Sequence, residues 1–464
     1  MPSASAGPPR PESSGEPGPT VPSHPRRLLM IAYEFAPVAG GGVARIVSYA
    51  RFLRDHGWEP IVLTAAPGYG RPRDPALLSL IEGVEIVRLP SRNIIWTLAY
   101  LGAPLRWLAA RLRRPRSSVP NVASTDGKLR SPLTTRIARR VTFPDEAALW
   151  AHAVQRVAPA ICRRSDISAI LASGPPFSAL VAAADVGRTT GLPVVLDMRD
   201  QWRDNVGIVW PTPALAERAA DLERRTLSSA SAVVGATDGI VAEATDMGAA
   251  LTETIHNGFD PEQMPPHRPD PSGPLSIAFL GRFSRDVMDP TPFFRGLAEA
   301  VSRDPLAAAI RVEVVGPEAP WVGALVRGLG LADAVTFHGF QAYHDALEIV
   351  SHADVGLMTV SDRPGSAELY PGKLFDYLGV GVPLLFVGPS GGGVAQLVRE
   401  NAMGVVVRHD DVTGVADAVV AMARAKAAGE ALTSPDPVAA ARFDRRAQVA
   451  RLAGMLDRVT GDRG

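Results

Sequence analysis

Apolar positions along the chain fall into short unbroken runs separated by amphipathic stretches. Arg27-Leu28-Leu29-Met30-Ile31-Ala32 has strand length and no polar alternation, which fits a strand buried on both faces. A Pro/Gly loop over 35–42 follows. Val43, Ile46, Val47, Ala50 and Leu53 then recur at helical spacing up to His56, and Gly57 predicts the stop. Pro60–Thr64 is the next strand. Strand, loop, helix and strand in this order make a βαβ unit, hence a parallel sheet with right-handed crossovers. The rhythm returns at Val84–Leu89, Ala169–Ser173, Pro193–Leu196 and Ala232–Ala236.

Residues 260–274 contain six prolines and interrupt the pattern, so a linker is expected over 259–274. A second series follows with strands at Ser276–Leu280, Arg311–Val315, Val335–His338, Val355–Met358, Pro383–Val387 and Gly404–Val407. Phe443–Val459 closes the chain as an amphipathic helix. The expected fold is α/β: two doubly wound, Rossmann-like parallel-sheet domains, 28–258 and 275–435. Residues 436–464 form a terminal helix returning to the first domain. Such sheets bind ligands at the carboxyl ends of their strands, which places a site in the cleft between domains.

Composition narrows the function. The 464 residues carry 48 basic and 48 acidic side chains, so no global footprint for nucleic acid exists and none is expected as partner. The single cysteine, Cys162, excludes an internal disulfide and a Cys-based zinc site. No apolar run reaches the roughly 18 residues of a spanning helix. Residues 1–27 hold eight prolines and no apolar block, which reads as a disordered tail without a signal-peptide core and implies a cytoplasmic protein. One stretch departs from the pattern: 92–140 carries eleven basic residues against one acid, Asp126. Its apolar, aromatic part, 92–116, suits either an interfacial helix on an anionic inner membrane face or an insertion packed on its own domain.

Candidate chemistry concentrates in Glu368-Leu369-Tyr370-Pro371-Gly372-Lys373-Leu374-Phe375-Asp376-Tyr377-Leu378. Pro371-Gly372 predicts a turn, and Lys373 then falls in the first turn of a helix ending near Gly379. A helix N-terminus with a lysine suits an anion, and Asp376 lies one turn on, on the same side. Cation and carboxylate together match a phosphate and sugar hydroxyls. They also match an ordinary surface pair. Gly40-Gly41-Gly42 sits between a strand and a helix, where Gly41 and Gly42 either admit a phosphate closely or simply make a tight turn. Arg45 stands where a dinucleotide fingerprint needs glycine, and no P-loop lysine follows. No Asp-x-Asp occurs, so no obligatory metal is expected.

The segment resembles the Glu-x7-Glu motif of retaining GT-B glycosyltransferases of family 4, with Asp376 in the second position. Pro371-Gly372-Lys373-Leu374-Phe375-Asp376-Tyr377-Leu378 is similar to the Pro-Ser-Lys-x-x-Glu-Tyr signature of bacterial O-antigen and capsule sugar transferases, amino-sugar transferases included. Further likenesses follow in family order. They are Pro144-Asp145 with Trp150, Ser173-Gly174-Pro175-Pro176, Asp197-Met198-Arg199-Asp200-Gln201-Trp202 and Ile255-His256-Asn257-Gly258-Phe259-Asp260.

The resemblance implies a transferase that moves a sugar, with an N-acetylamino sugar among the candidates, from a UDP-linked nucleotide-sugar donor to a hydroxyl acceptor. The acceptor is a glycan, lipid-linked or secondary-metabolite hydroxyl. Lys373 and Arg282 would hold the diphosphate with help from Arg285, Asp376 the ribose and Glu368 the sugar. Arg199 and Asp200 would face the reacting sugar, or else form a structural ion pair, and Arg282 has its own alternative in a surface salt bridge. A UDP-sugar epimerase on the same frame, or a non-catalytic nucleotide-sugar-binding protein, are the competing expectations.

Overall fold

The computed structural model describes residues 25–68, 73–91 and 142–461, except 204, 206, 207, 209, 211, 364 and 434 and the side chain of Glu368. The whole stretch 92–140, with the membrane segment 92–116, and residues 1–24 of the expected tail therefore lie outside the described residues.

The first domain is a seven-stranded parallel sheet. Its strands are β1 (Arg26–Ala32), β2 (Trp58–Ala65), β3 (Glu85–Leu89), β4 (Ile167–Gly174), β5 (Val194–Met198), β6 (Ala232–Gly235) and β7 (Thr252–Thr254), in the order β3-β2-β1-β4-β5-β6-β7. The second sheet has six parallel strands, β8 (Ser276–Leu280), β9 (Arg311–Val315), β10 (Val335–Gly339), β11 (Val355–Thr359), β12 (Leu384–Gly388) and β13 (Gly404–Arg408), ordered β10-β9-β8-β11-β12-β13. In each sheet the chain reverses its direction of travel beside the first strand, β1 against β4 and β8 against β11. Ligand crevices form at such points.

β1 shows why the central strands lack alternation. Leu29 and Ile31 enter one core layer while Leu28, Met30 and Ala32 enter the layer on the other face. The strand begins at Arg26, inside the stretch expected to be tail. Arg26 pairs with Trp58 in the sheet, lies 4.3 Å from the Trp58 ring centroid and bonds Asp457. β7 has no apolar run to betray it. Its residues Thr252, Glu253 and Thr254 are all partly exposed, because it is an edge strand.

The proline-rich stretch is a strap fastened to the second domain. The Arg268 amide donates to the Ser351 carbonyl at 2.8 Å, and Lys426 bonds the Asp270 carbonyl. Phe259 packs in the second domain's core beside Phe443, and the two chain crossings bond each other: Phe259 N–H to Phe443 O at 3.1 Å, Arg445 N–H to Phe259 O at 2.9 Å. The terminal helix Arg445–Thr460 then places Val449, Leu452, Ala453, Met455 and Leu456 in the first domain's core. Among the described residues no helix is long and apolar enough to cross a membrane.

Candidate functional site between the domains

A cavity of about 490 Å³ opens between the two sheets. Its first-domain wall includes Gly40, Val47 and Ser48 at and beyond the start of the first helix. Its second-domain wall includes Gly281, Gly316, Tyr343, Gly372, Lys373 and Asp376, and Arg445 reaches it from the returning helix. Gly281 and Gly316 follow β8 and β9 directly. Gly281 has φ of +113°, and a Cβ on Gly316 would lie 1.9 Å from the Gly281 carbonyl oxygen. Only glycine lets these two loops lie together.

Two helices start at this cavity without a side-chain cap. Gly41–Phe52 follows Gly40, Lys373–Val380 follows Gly372, and neither N-cap residue supplies a hydrogen-bonding side chain. Their free N–H groups and positive dipole ends approach one space from opposite domains. Lys373 adds an ammonium that is 9% exposed and donates to no protein group among the described residues. Its Nζ lies 3.8 Å from the Phe279 ring centroid. Burial lowers its pKa to about 7, against the smaller opposing pull of Asp376. A buried, unpartnered cation is costly in the empty protein, and an anion in the cavity would relieve it.

Asp376 takes a hydrogen bond from the Tyr343 hydroxyl at 2.6 Å. Burial raises the Asp376 pKa; the Tyr343 bond, Arg445 and Lys373 each pull it back. Tyr377, one position on, is fully buried and donates to the Leu357 carbonyl at 3.0 Å while accepting from the Leu280 N–H at 2.8 Å. The helix is thereby fixed to the end of β8, next to Gly281.

The first-domain wall is held by a charge network. Arg45, on the inward face of the first helix, binds Asp197 at 2.7 Å, with both side chains at most 5% exposed. The same guanidinium donates to the Ile255 and His256 carbonyls, each at 2.7 Å, and to Asn257 Oδ1 at 3.3 Å. Ser173 and Tyr49 donate to Asp197 at 2.6 and 3.3 Å. The first helix is thus tied to β5 and to the segment leading out of the domain. The Arg45 pKa is lowered by burial but raised more by Asp197 and Tyr49, and ends above its ordinary value.

The expected site residues divide. Lys373 and Asp376 share the cavity, recessed rather than on the surface. Glu368 closes a short 3-10 turn, Ser366–Glu368. Gly41 begins the first helix. Gly42 is shaped by a neighbour: a Cβ there would lie 1.7 Å from Nη1 of Arg199. Arg199 donates to the Gly174 and Pro175 carbonyls, and its charge opposes the burial that raises the Asp200 pKa. Arg282 is exposed just beyond Gly281. Arg285 stacks over the Trp321 ring, 4.4 Å from its centroid. Gly42, Arg199, Asp200, Arg282 and Arg285 are not among the described residues lining the cavity. Tyr343, Arg445 and Arg45 carry the geometry without a motif to announce them. For Arg45 a signal exists, an arginine on the apolar face of a helix; for Tyr343 there is none.

Comparison with known proteins bears on the family and the fold. The family model of the glycosyl transferase 4-like domain matches residues 40–258, and that of glycosyl transferases group 1 matches 274–425. The curated glycogen synthase of Mycobacterium tuberculosis is 22% identical over 438 residues, covering 88% of this chain and 90% of that protein. Sucrose-phosphate synthase from Thermosynechococcus elongatus superposes with a TM-score of 0.61 at 15% identity, covering 94% of this chain and 99% of the other. The Anabaena protein HepE, solved in complex with UDP, superposes with a TM-score of 0.58 at 18% identity, covering 93% and 100%. These structural likenesses are those of the GT-B fold.

Proposed function

We propose, since the chain belongs to the GT-B glycosyltransferases, that it transfers a sugar from a UDP-linked donor to a hydroxyl acceptor with retention of anomeric configuration. One observation carries the donor half: Gly40 and Gly372, the starts of two helices without side-chain caps, line the same cavity as the Lys373 ammonium, which has no hydrogen-bond partner among the described residues. That arrangement is preorganised for a diphosphate. The chain's match to the two family models and the UDP bound in HepE support the same donor class.

In the proposed reaction the bond from the anomeric carbon to the diphosphate oxygen breaks and a bond to the acceptor oxygen forms on the same face. The departing diphosphate takes the acceptor proton. Lys373 and the helix N–H groups stabilise the leaving charge, with the exposed Arg282, next to the cavity-lining Gly281, as a second cation for the diphosphate. Asp376 receives the ribose and Glu368 the sugar. Arg199 and Asp200 bound the reacting side. An acceptor on a glycan or lipid carrier at the inner face of the plasma membrane, reached through the 92–116 segment, fits the basic and apolar composition of that stretch. The expected result is UDP release that depends on both a UDP-sugar and an added acceptor, with an axial or equatorial linkage matching the donor by NMR. Isomerised UDP-sugar in the absence of acceptor would replace this reading with an epimerase.

The Lys373 ammonium gives a pH signature. The charged form binds the diphosphate, and the free protein loses that form as pH rises through about 7. A bound anion favours the charged form, so binding takes up a proton. Between pH 7 and 9 the charge on UDP is nearly constant. UDP affinity should fall across that range, and calorimetry in buffers of different ionisation enthalpy should detect proton uptake. Constant affinity with no proton exchange would remove Lys373 from the phosphate.

A further inference from the structure

We propose that Tyr343 is a positioning residue that sets the Asp376 carboxylate for the ribose diol of the donor; this rests on the nucleotide-sugar reading above. Asp376 has a short carboxylate arm, one methylene less than that of Glu. A shorter arm reaches less far and samples fewer useful positions. The phenol of Tyr343 fixes it: its hydroxyl donates to Oδ1 at 2.6 Å, and among the described residues Oδ2 takes no hydrogen bond from the protein. Both residues line the cavity. One oxygen is thereby anchored and the other left as the acceptor for a sugar hydroxyl.

The charges around this carboxylate come from three elements. Tyr343 faces it from its own helix, Tyr343–Ser351, Arg445 from the head of the returning helix and Lys373 from the preceding turn. Asp260 on the strap acts on Tyr343. Burial already raises the Asp376 pKa, and the phenol is the largest of the influences that lower it. Removing the hydroxyl therefore raises it further. A protonated carboxyl is a poorer acceptor, so the acid limb of nucleotide binding moves to higher pH.

The test compares UDP and 2′-deoxy-UDP binding by calorimetry in the wild type, Tyr343→Phe, Asp376→Ala and the double variant. A hydrogen bond to a charged acceptor sets the scale, so Tyr343→Phe should weaken UDP about tenfold. It should weaken 2′-deoxy-UDP far less, which shrinks the preference for the ribonucleotide. In the Asp376→Ala background the same substitution should add nothing. The preference is a ratio within each variant, so a change in folded fraction cancels. An unchanged preference with an unmoved acid limb overturns the inference, as do additive penalties. If Asp376→Ala loses UDP while Tyr343→Phe does not, this inference fails alone. If the wild type binds neither nucleotide, the donor reading fails and takes the inference with it.

Discussion

Replacing Lys373 with methionine sharply weakens UDP binding and at the same time raises the melting temperature of the empty protein. Methionine keeps the length and apolar body of the side chain and removes only the charge. The lost interaction is a desolvated cation–phosphate contact worth roughly 3 kcal/mol, which weakens UDP at least about 100-fold. The gain in stability has the opposite sign because the ammonium is buried beside Phe279 without a hydrogen-bond partner among the described residues. Its folded-state pKa of about 7 lies below the ordinary 10.5. Between those values the unfolded chain binds more protons, so wild-type stability rises with pH across that window through this group. Lys373→Met removes that slope. Thermal melts of both proteins from pH 7 to 10 should show the variant above the wild type at pH 7 and the gap closing as pH rises. A variant that melts lower at pH 7 and binds UDP normally would contradict the assignment.

The second large effect is expected at a residue that touches no ligand. Arg45→Met leaves Asp197 fully buried and without its counter-ion, and frees the carbonyls of Ile255 and His256. Breaking a buried ion pair from one side costs about 3–5 kcal/mol. At about 2–4 °C per kcal/mol for a domain of this size, the melting temperature should fall by roughly 10 °C. Replacing Asp197 as well, with leucine, should return a good part of the loss, because the desolvated charge goes with it. Differential scanning calorimetry of the two variants checks both statements. A melting temperature within a degree or so of wild type for Arg45→Met would mean that the network does not hold the first helix to β5.

Much of the frame was legible along the chain, for a physical reason. Strands buried on both faces must be apolar throughout, and β8 and β9 are delimited at Ser276–Leu280 and Arg311–Val315 in pattern and structure alike. β7 was not legible, since Thr252, Glu253 and Thr254 are partly exposed at an edge and carry no apolar run. The site was legible where its residues are neighbours in sequence. Pro371-Gly372-Lys373 with Asp376 is a turn, a helix start and one helical turn, so local geometry alone brings cation and carboxylate together. It was illegible where the partners meet only through tertiary packing: Tyr343 and Asp376 are 33 positions apart, and Arg45 and Asp197 are 152 apart.

Only three of the 48 basic residues are lysines, Lys128, Lys373 and Lys426. Lys373 lies in the cavity, while Lys426 has a 9% exposed side chain paired with Asp354. Both occupy recessed places that a compact point charge fills more easily than a planar guanidinium fork.

The most direct measurement is a crystal structure of the protein soaked with UDP. The diphosphate should lie between the start of the Gly41–Phe52 helix and the start of the Lys373–Val380 helix, with a phosphate oxygen about 3 Å from Lys373 Nζ and a ribose hydroxyl at Asp376. UDP bound elsewhere, or lodged in the cavity with Lys373 and both helix starts untouched, would contradict the account.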